Sequence, residues 1–461
     1  MPTTIIRTSL LLALLCLALI PVAVLSSCAE VRPAETTLPE GWHPLPAATD
    51  VVRVSSGVPW PRGIVKRDGK LLVVARGVHR TAGGPNPNIQ DHAGSIFEVD
   101  PQIFEPLVTG QAPSDAVKNN ARLVAAGDMP PFRLWTRSVP ATSDTLTDRP
   151  YAGLLYDAAS ENLFVLCYSG IDLNDPPYFR KNATDAIHRY DLRTKRWYAF
   201  ESHNPATVPV EQLGLTIPND SYPHHDVTKN PAPHGMVNGP CGGWVVGDFL
   251  YAVGKENSSL VQYDLSEIRK NPDAAPPSGR YIFRRSGPTD DPYIKVKGKG
   301  MMYVEGPGAV VTHGKWMYVA FRTTCQVVRF PITANGDVIQ PIEAEYLAQF
   351  DPFEVREDGT YTNTPDFFDM RTDAQGRCFL SCNRQGSIWE IPTDGKAFLD
   401  ARQGTTAKPY INLRQITAHE KSTCGNFFID TNGDFYICTG NKDIAEGLVR
   451  GTLYRVRATN P

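Results

Sequence analysis

The chain has 461 residues with 46 Lys and Arg against 49 Asp and Glu, a formal charge of −3. That balance excludes a general nucleic-acid binder, which carries a basic excess. Hydrophobic residues at 41% and aromatics at 10% exclude a disordered chain, and Gly 37 with Pro 39 favour many short strands and turns over long helices.

In chain order, the first element is an apolar run, residues 9–25, behind Arg7. A basic start, an apolar stretch and small residues at a cleavage site make a secretory signal. The run closes on Leu25-Ser26-Ser27-Cys28, which resembles a bacterial lipobox with Cys28 as the lipidated mature N-terminus. An ordinary signal cleaved near Ser27 or Ala29 is the alternative. At about 17 residues the run is at the lower limit for a spanning helix, which argues against a transmembrane anchor. Residues 29–49 contain Pro33, Pro39, Pro44 and Pro46 and read as a tether. The expected organisation is a signal of lipoprotein type (1–28), a Pro-rich tether (29–49) and one domain (50–461). Such a chain is exported as an envelope lipoprotein or a secreted or periplasmic protein. It meets a membrane only through a lipid at Cys28.

From residue 50 onward one pattern returns six times: an apolar strand, a tight turn, a second strand, a loop and a third strand. It appears at 62–77 with 95–100, 152–170 with 186–192, 234–254 with 260–265, 305–321 with 326–332, 366–382 with 387–392, and 424–440 with 452–458. The turns are of the Gly-containing kind that hairpins favour. A fourth strand follows five copies, as FEPLVTG, WYAFES, YIFRRS, EAEYLAQF and PYINLRQ. The sixth copy lacks one, while DVVRVSS (50–56) is a spare strand ahead of the first. Four strands per unit, six units and a spare N-terminal strand predict an all-β six-bladed β-propeller closed by that strand. Long insertions at 77–93, 101–147, 169–185, 200–233 and 266–303 are expected on the top face, where long loops on a rigid scaffold serve binding or catalysis.

The inner strands open toward the central channel. Aligning Gly63, Gly153, Gly235, Gly306, Phe367 and Gly425 puts Arg62, Arg149 or Ala152, His234, Glu305, Asp366 and Asn426 at the mouth. Two carboxylates, an amide and a histidine around one axis can bind a divalent cation such as Ca²⁺, or supply a general base and an oxyanion stabiliser. The ends of the second strands add Arg76, His79, Lys255, Glu256, Arg322, Asn383, Arg384 and Asn441. Trp60, Trp135 and Tyr222 are candidate apolar walls. Arg62, Arg149, Arg322 and Arg384 are the candidate substrate-binding cations. Beyond Cys28 the seven cysteines form no Cys-x-x-Cys, and Cys378 and Cys382 are too far apart along one strand to pair, so all are expected to be buried apolar fillers.

Two passages carry a family resemblance. Glu305-Gly306-Pro307, and Pro365-Asp366 with the following DMRTDAQGRCFLSCNRQGSIWEI, resemble the gluconolactonase and strictosidine-synthase group of six-bladed propellers. The resemblance implies metal binding by Glu305 and an acid/base role for a metal-bound Asp366. The expected function is then hydrolysis of a lactone or ester at the top mouth, with Glu305, Asp366 and Asn426 as metal ligands and Asp366 or His234 activating water. The opening VPWPRGIVKRDGKLLVVARG (58–77) is similar to the first blade of quinoprotein sugar dehydrogenases, which implies a quinone cofactor and a sugar or alcohol oxidoreductase as an alternative. A non-catalytic envelope propeller that holds a glycan or protein on its top face is the third reading.

Overall fold

The computed structural model describes residues 50–75, 94–108, 110–126, 150–167, 186–202, 237, 240–254, 258–283, 293–297, 300–303, 306–351, 365–417, 423–440 and 451–457. They form a six-bladed β-propeller. From the axis outward, blade one is Pro61–Arg67, Lys70–Ala75, Ile96–Val99 and Arg122–Ala125. Blade two is Pro150–Asp157, Asn162–Cys167, Ala186–Asp191 and Arg196–Ser202, and blade three is Pro240–Val246, Phe249–Gly254, Ser259–Asp264 and Arg280–Phe283. Blade four is Pro307–His313, Trp316–Phe321, Gln326–Pro331 and Glu343–Gln349. Its edge carries a hairpin, Tyr293–Val296 with Gly300–Tyr303, in parallel pairing. Blade five is Phe367–Thr372, Cys378–Cys382, Ser387–Ile391 and Ile411–Asn412. Blade six combines Phe427–Ile429, Phe435–Gly440 and Gly451–Arg457 with the N-terminal strand Asp50–Ser55. The spare strand thus closes the ring as its composition predicted, with Val52 opposite Arg455.

Alternation along each strand divides its side chains between two neighbours. Leu154 joins a core with blade one, whereas the next residue, Leu155, joins a core with blade three. Val310 likewise faces blade three while Ala309 and Val311 face blade five. The result is six apolar clusters, one between each adjacent pair of blades. A period of two turns one strand into two contact faces, so every blade is buried on both sides.

Two expectations are corrected. FEPLVTG is not the fourth strand of blade one, a place taken by Arg122–Ala125. Glu105–Pro106 instead pairs with the N-terminal strand as the outermost of the sixth sheet. The cause is polar and non-local. Arg53 pairs with Glu105 at 2.6 Å, and the buried Asn120 amide donates to Val54 O at 2.9 Å and Asp100 O at 2.8 Å and accepts from Asp100 N at 2.9 Å. The long insertions are also less one-sided than expected. Residues 101–121 and 265–279 join third to fourth strands and therefore lie at the bottom. There Lys70 holds Asp100, and Arg269, from the short helix Ser266–Lys270, pairs with Asp157 at 2.9 Å and Asp248 at 2.6 Å.

All seven cysteines among the described residues are free and buried. Burial pushes the thiols of Cys378, Cys382, Cys424 and Cys438 well up, which keeps them protonated. Among the described residues no helix is long and apolar enough to cross a membrane.

Candidate functional site

The inner strands of blades one to five share one irregularity. Just after the first residue the register with the second strand breaks: Pro61/Gly63, Pro150/Gly153, Pro240/Gly242, Pro307/Ala309 and Phe367/Met370. A bulge leaves the intervening residues outside the ladder and re-aims their side chains, a device common beside active sites. The bulged residues are Arg62, Tyr151-Ala152, Cys241, Gly308 and Phe368-Asp369. This register differs from the sequence alignment in three blades. Cys241, not His234, matches Arg62 in blade three, Gly308, not Glu305, does so in blade four, and Phe368-Asp369, not Asp366, does so in blade five.

Three bulges meet around Phe368. The Arg62 guanidinium lies 5.0 Å from the Phe368 ring centroid and 5.3 Å from that of Trp60, and the Arg322 guanidinium lies 5.5 Å from Phe368. One aromatic ring therefore serves two cations, each favoured by its quadrupole. Arg322 leaves the end of the second strand of blade four and crosses the bulge at Gly308. A Cβ on Gly308 would overlap Arg322 Cγ and lie 2.5 Å from its Cδ and 2.8 Å from Phe367 O. Glycine is required there by the close approach, not by its backbone angle. Arg322 donates through Nη1 to Cys241 Sγ at 3.2 Å and through Nη2 to Asp366 Oδ1.

Asp366 is the hub of the site. It sits just ahead of the inner strand of blade five, with φ of 51° in the left-handed region, where Asp is better tolerated than most residues. Asn383 N, at the end of the second strand, fixes it by donating to Asp366 O at 3.0 Å. Its second carboxylate oxygen faces Arg384 Nε at 3.7 Å. The side chains of Asp366 and Arg322 are 9% and 10% exposed, whereas that of Arg384 is 43% exposed, so Arg384 is the arm of this group that solvent and a ligand can reach.

A second, buried pair lies deeper. Asp369 accepts from Arg371 Nε at 3.0 Å, Phe427 N at 3.1 Å and Met370 N at 3.0 Å. Burial pushes its carboxyl up, against the pull of the Arg371 guanidinium and of the amides. Arg371 also lies 5.2 Å from the ring centroid of Trp244 on blade three. The pair thus links blades three, five and six.

Of the residues singled out in the sequence, the structure gathers Arg62, Arg322, Arg384 and Asp366, with Trp60 beneath Arg62. Asn383 binds Cys424 O at 3.0 Å and supports the backbone of the group. Asn426 is buried at the channel, where a Cβ on Gly153 would come within 2.9 Å of its Nδ2. Arg149, His234 and Glu305 lie outside the described residues, as do Arg76, His79, Lys255, Glu256, Asn441, Trp135, Tyr222 and Cys28, and so does the side chain of Ala152. Phe368, Asp369, Arg371 and Cys241 were not anticipated. For Asp369 and Arg371 the signal was present, as two opposite charges two residues apart inside an otherwise apolar inner strand.

The cation set of Glu305, Asp366 and Asn426 meets an obstacle in the donors present. Both Asp366 oxygens face guanidinium groups, so a divalent ion on this carboxylate would sit beside two positive charges. Among the described residues no group of three or more His, Cys, Asp or Glu side chains is placed to hold a metal ion. Glu305 lies outside the described residues, and around Asp366 those described bring three guanidiniums, Arg62, Arg322 and Arg384, an excess of positive charge that favours an anion there.

No protein-family model and no curated protein matches the chain. Solved structures do. A gluconolactonase from Xanthomonas campestris has 11% identity, covers 92% of this chain and 98% of its own, and superposes with a TM-score of 0.41. Regucalcin, a calcium-binding protein from Agrobacterium tumefaciens, has 9% identity, 89% and 95% coverage and a TM-score of 0.40. The PQQ-bound aldose sugar dehydrogenase of Streptomyces coelicolor has 14% identity, 90% and 100% coverage and a TM-score of 0.40. All three are six-bladed propellers, and at such identities and TM-scores the likeness assigns no function to this chain.

Proposed function

We propose that the chain is an exported propeller enzyme, tethered by a lipid at Cys28, that hydrolyses a lactone or ester of a small molecule at its top central mouth. The observation that carries this reading is the convergence of Asp366, Arg322 and Arg384 from blades four and five, beside Arg62 and Phe368. In this arrangement water adds to the substrate carbonyl and Asp366 takes the water proton. Arg384 faces the oxygen on which negative charge develops. The carbon–oxygen bond to the leaving group then breaks, and that oxygen takes the proton back from Asp366. Guanidinium groups aimed at a developing oxyanion are the largest single contribution such a site can make. Arg322 orients Asp366, and the Phe368 ring supports the Arg62 and Arg322 guanidiniums. No step is assigned to a metal, because Asp366 is held by cations.

The test is hydrolysis of a lactone and aryl-ester panel by the protein without its signal, with and without EDTA. Hydrolysis that survives EDTA and falls at least a hundredfold in Asp366→Asn supports the reading. Full activity in a folded Asp366→Asn protein refutes the role of Asp366, and abolition by EDTA refutes the metal-free form. No turnover alongside tight ligand binding would favour the non-catalytic reading.

A further inference from the structure

Lactone hydrolysis creates a carboxylate, and the mouth already holds one of its own. We infer that Arg322 and Arg384 form a carboxylate-binding site that Asp366 occupies as an internal stand-in, so that an acidic ligand binds by competing with Asp366. This deepens the reading above and rests on the mouth being a ligand site, but not on hydrolysis.

Four observations converge. Asp366 contacts two guanidiniums, one per carboxylate oxygen, the arrangement in which a ligand carboxylate would be held. Arg322 is pre-oriented by Cys241, by the shared Phe368 ring and by the space that Gly308 leaves, so its position does not depend on Asp366 alone. Asp366 is carried on a residue in the left-handed region ahead of its strand rather than within the ladder. Its side chain can leave without breaking a sheet bond. Finally, Arg384 is the most exposed member, so a ligand carboxylate meets it first and Arg322 second. Planar guanidiniums recognise carboxylates in a way lysines do not.

The test uses isothermal titration with gluconate, neutral glucose and pyrroloquinoline quinone, a tricarboxylate, against the protein from residue 29 onward. Asp366→Asn is expected to bind gluconate at least tenfold tighter than the wild type, because the competitor loses its charge. Arg384→Gln is expected to bind at least tenfold more weakly, and glucose is expected not to respond to either change. The exposed Arg384 side chain makes its variant a safe one to fold, so the inference stays testable if Asp366→Asn does not. Quinone binding with the same dependence supports the site and assigns the carboxylate to a cofactor; gluconate binding alone assigns it to a product or substrate. Equal gluconate affinity in wild type and a folded Asp366→Asn, or glucose binding as well as gluconate does, overturns the inference. Lost lactonase activity with retained gluconate binding counts only against the hydrolytic reading, and the reverse result counts only against this one.

Discussion

Gly308→Ala is a substitution of one methyl group whose effect should be felt by a different residue. The added Cβ would overlap Arg322 Cγ and crowd its Cδ and Phe367 O, so the Arg322 side chain must swing away from its seat. Eviction separates it from Asp366 and from the Phe368 ring. Breaking a buried pair by deleting one partner costs about 3–5 kcal/mol, but here both charges survive at the mouth and can be rehydrated there, so about 2 kcal/mol is the working figure. Loss of the cation–ring contact adds ~0.5–1 kcal/mol. The expected destabilisation is therefore about 2–3 kcal/mol in guanidinium chloride unfolding followed by far-UV circular dichroism. The decisive measurement is a double-mutant cycle with Arg322→Ala. If the methyl acts through Arg322, it costs little once the side chain has been removed, and the coupling is about 2 kcal/mol. Additive effects would refute the steric argument and place the cost in the backbone at Phe367.

Asn120→Ala removes the four hydrogen bonds of a buried side chain that tie residues 100–121 to the ring closure; at about 1 kcal/mol each the loss is about 3–4 kcal/mol, measured by urea unfolding, and a change under about 1 kcal/mol would count against it. The carboxyls of Asp100, Asp394 and Asp400 are held low by Lys70, by the Ala397 amide and by Arg402 respectively. Since their folded values lie below the unfolded one near 4, the unfolded chain takes up protons first on acidification. The stability they give is complete above about pH 5 and is lost as pH falls through 4 toward the folded values; unfolding free energies that stay flat between pH 6 and 3 would contradict this. The seven described cysteines should resist a thiol reagent in the native protein and react together on denaturation; fast labelling of two or more in native buffer would show that the blade cores are open.

The ring was legible because each blade repeats the same local code, alternating apolar residues punctuated by Gly turns, and because a missing strand at one end matched a spare at the other. Register at the mouth was less legible. His234-Gly235 and Glu305-Gly306 each offer a polar residue followed by Gly, and so imitate Arg62-Gly63. The true openings are Pro240 and Pro307, like Pro61 and Pro150. A proline lacks an N–H and so favours the first place in a strand, which was the better marker. FEPLVTG has strand composition, yet its destination is set by Arg53 and Asn120, contacts distant in sequence that no local pattern reveals. At the site, residue types were readable but pairing was not: Asp366 and the arginines were singled out, while their mutual neutralisation depends on the bulges at Gly308 and Phe368.

The joining of Asp50–Ser55 to Gly451–Arg457 bears on how the protein reaches its native state. Of the described strands, the first to be synthesised waits for the last before it has a partner on its inner side. Until then the core between blades six and one lacks one wall, and the closing step pays the largest loop-entropy cost in the chain. Folding should therefore be slow and finish in one late, cooperative event, after the last strand has been made.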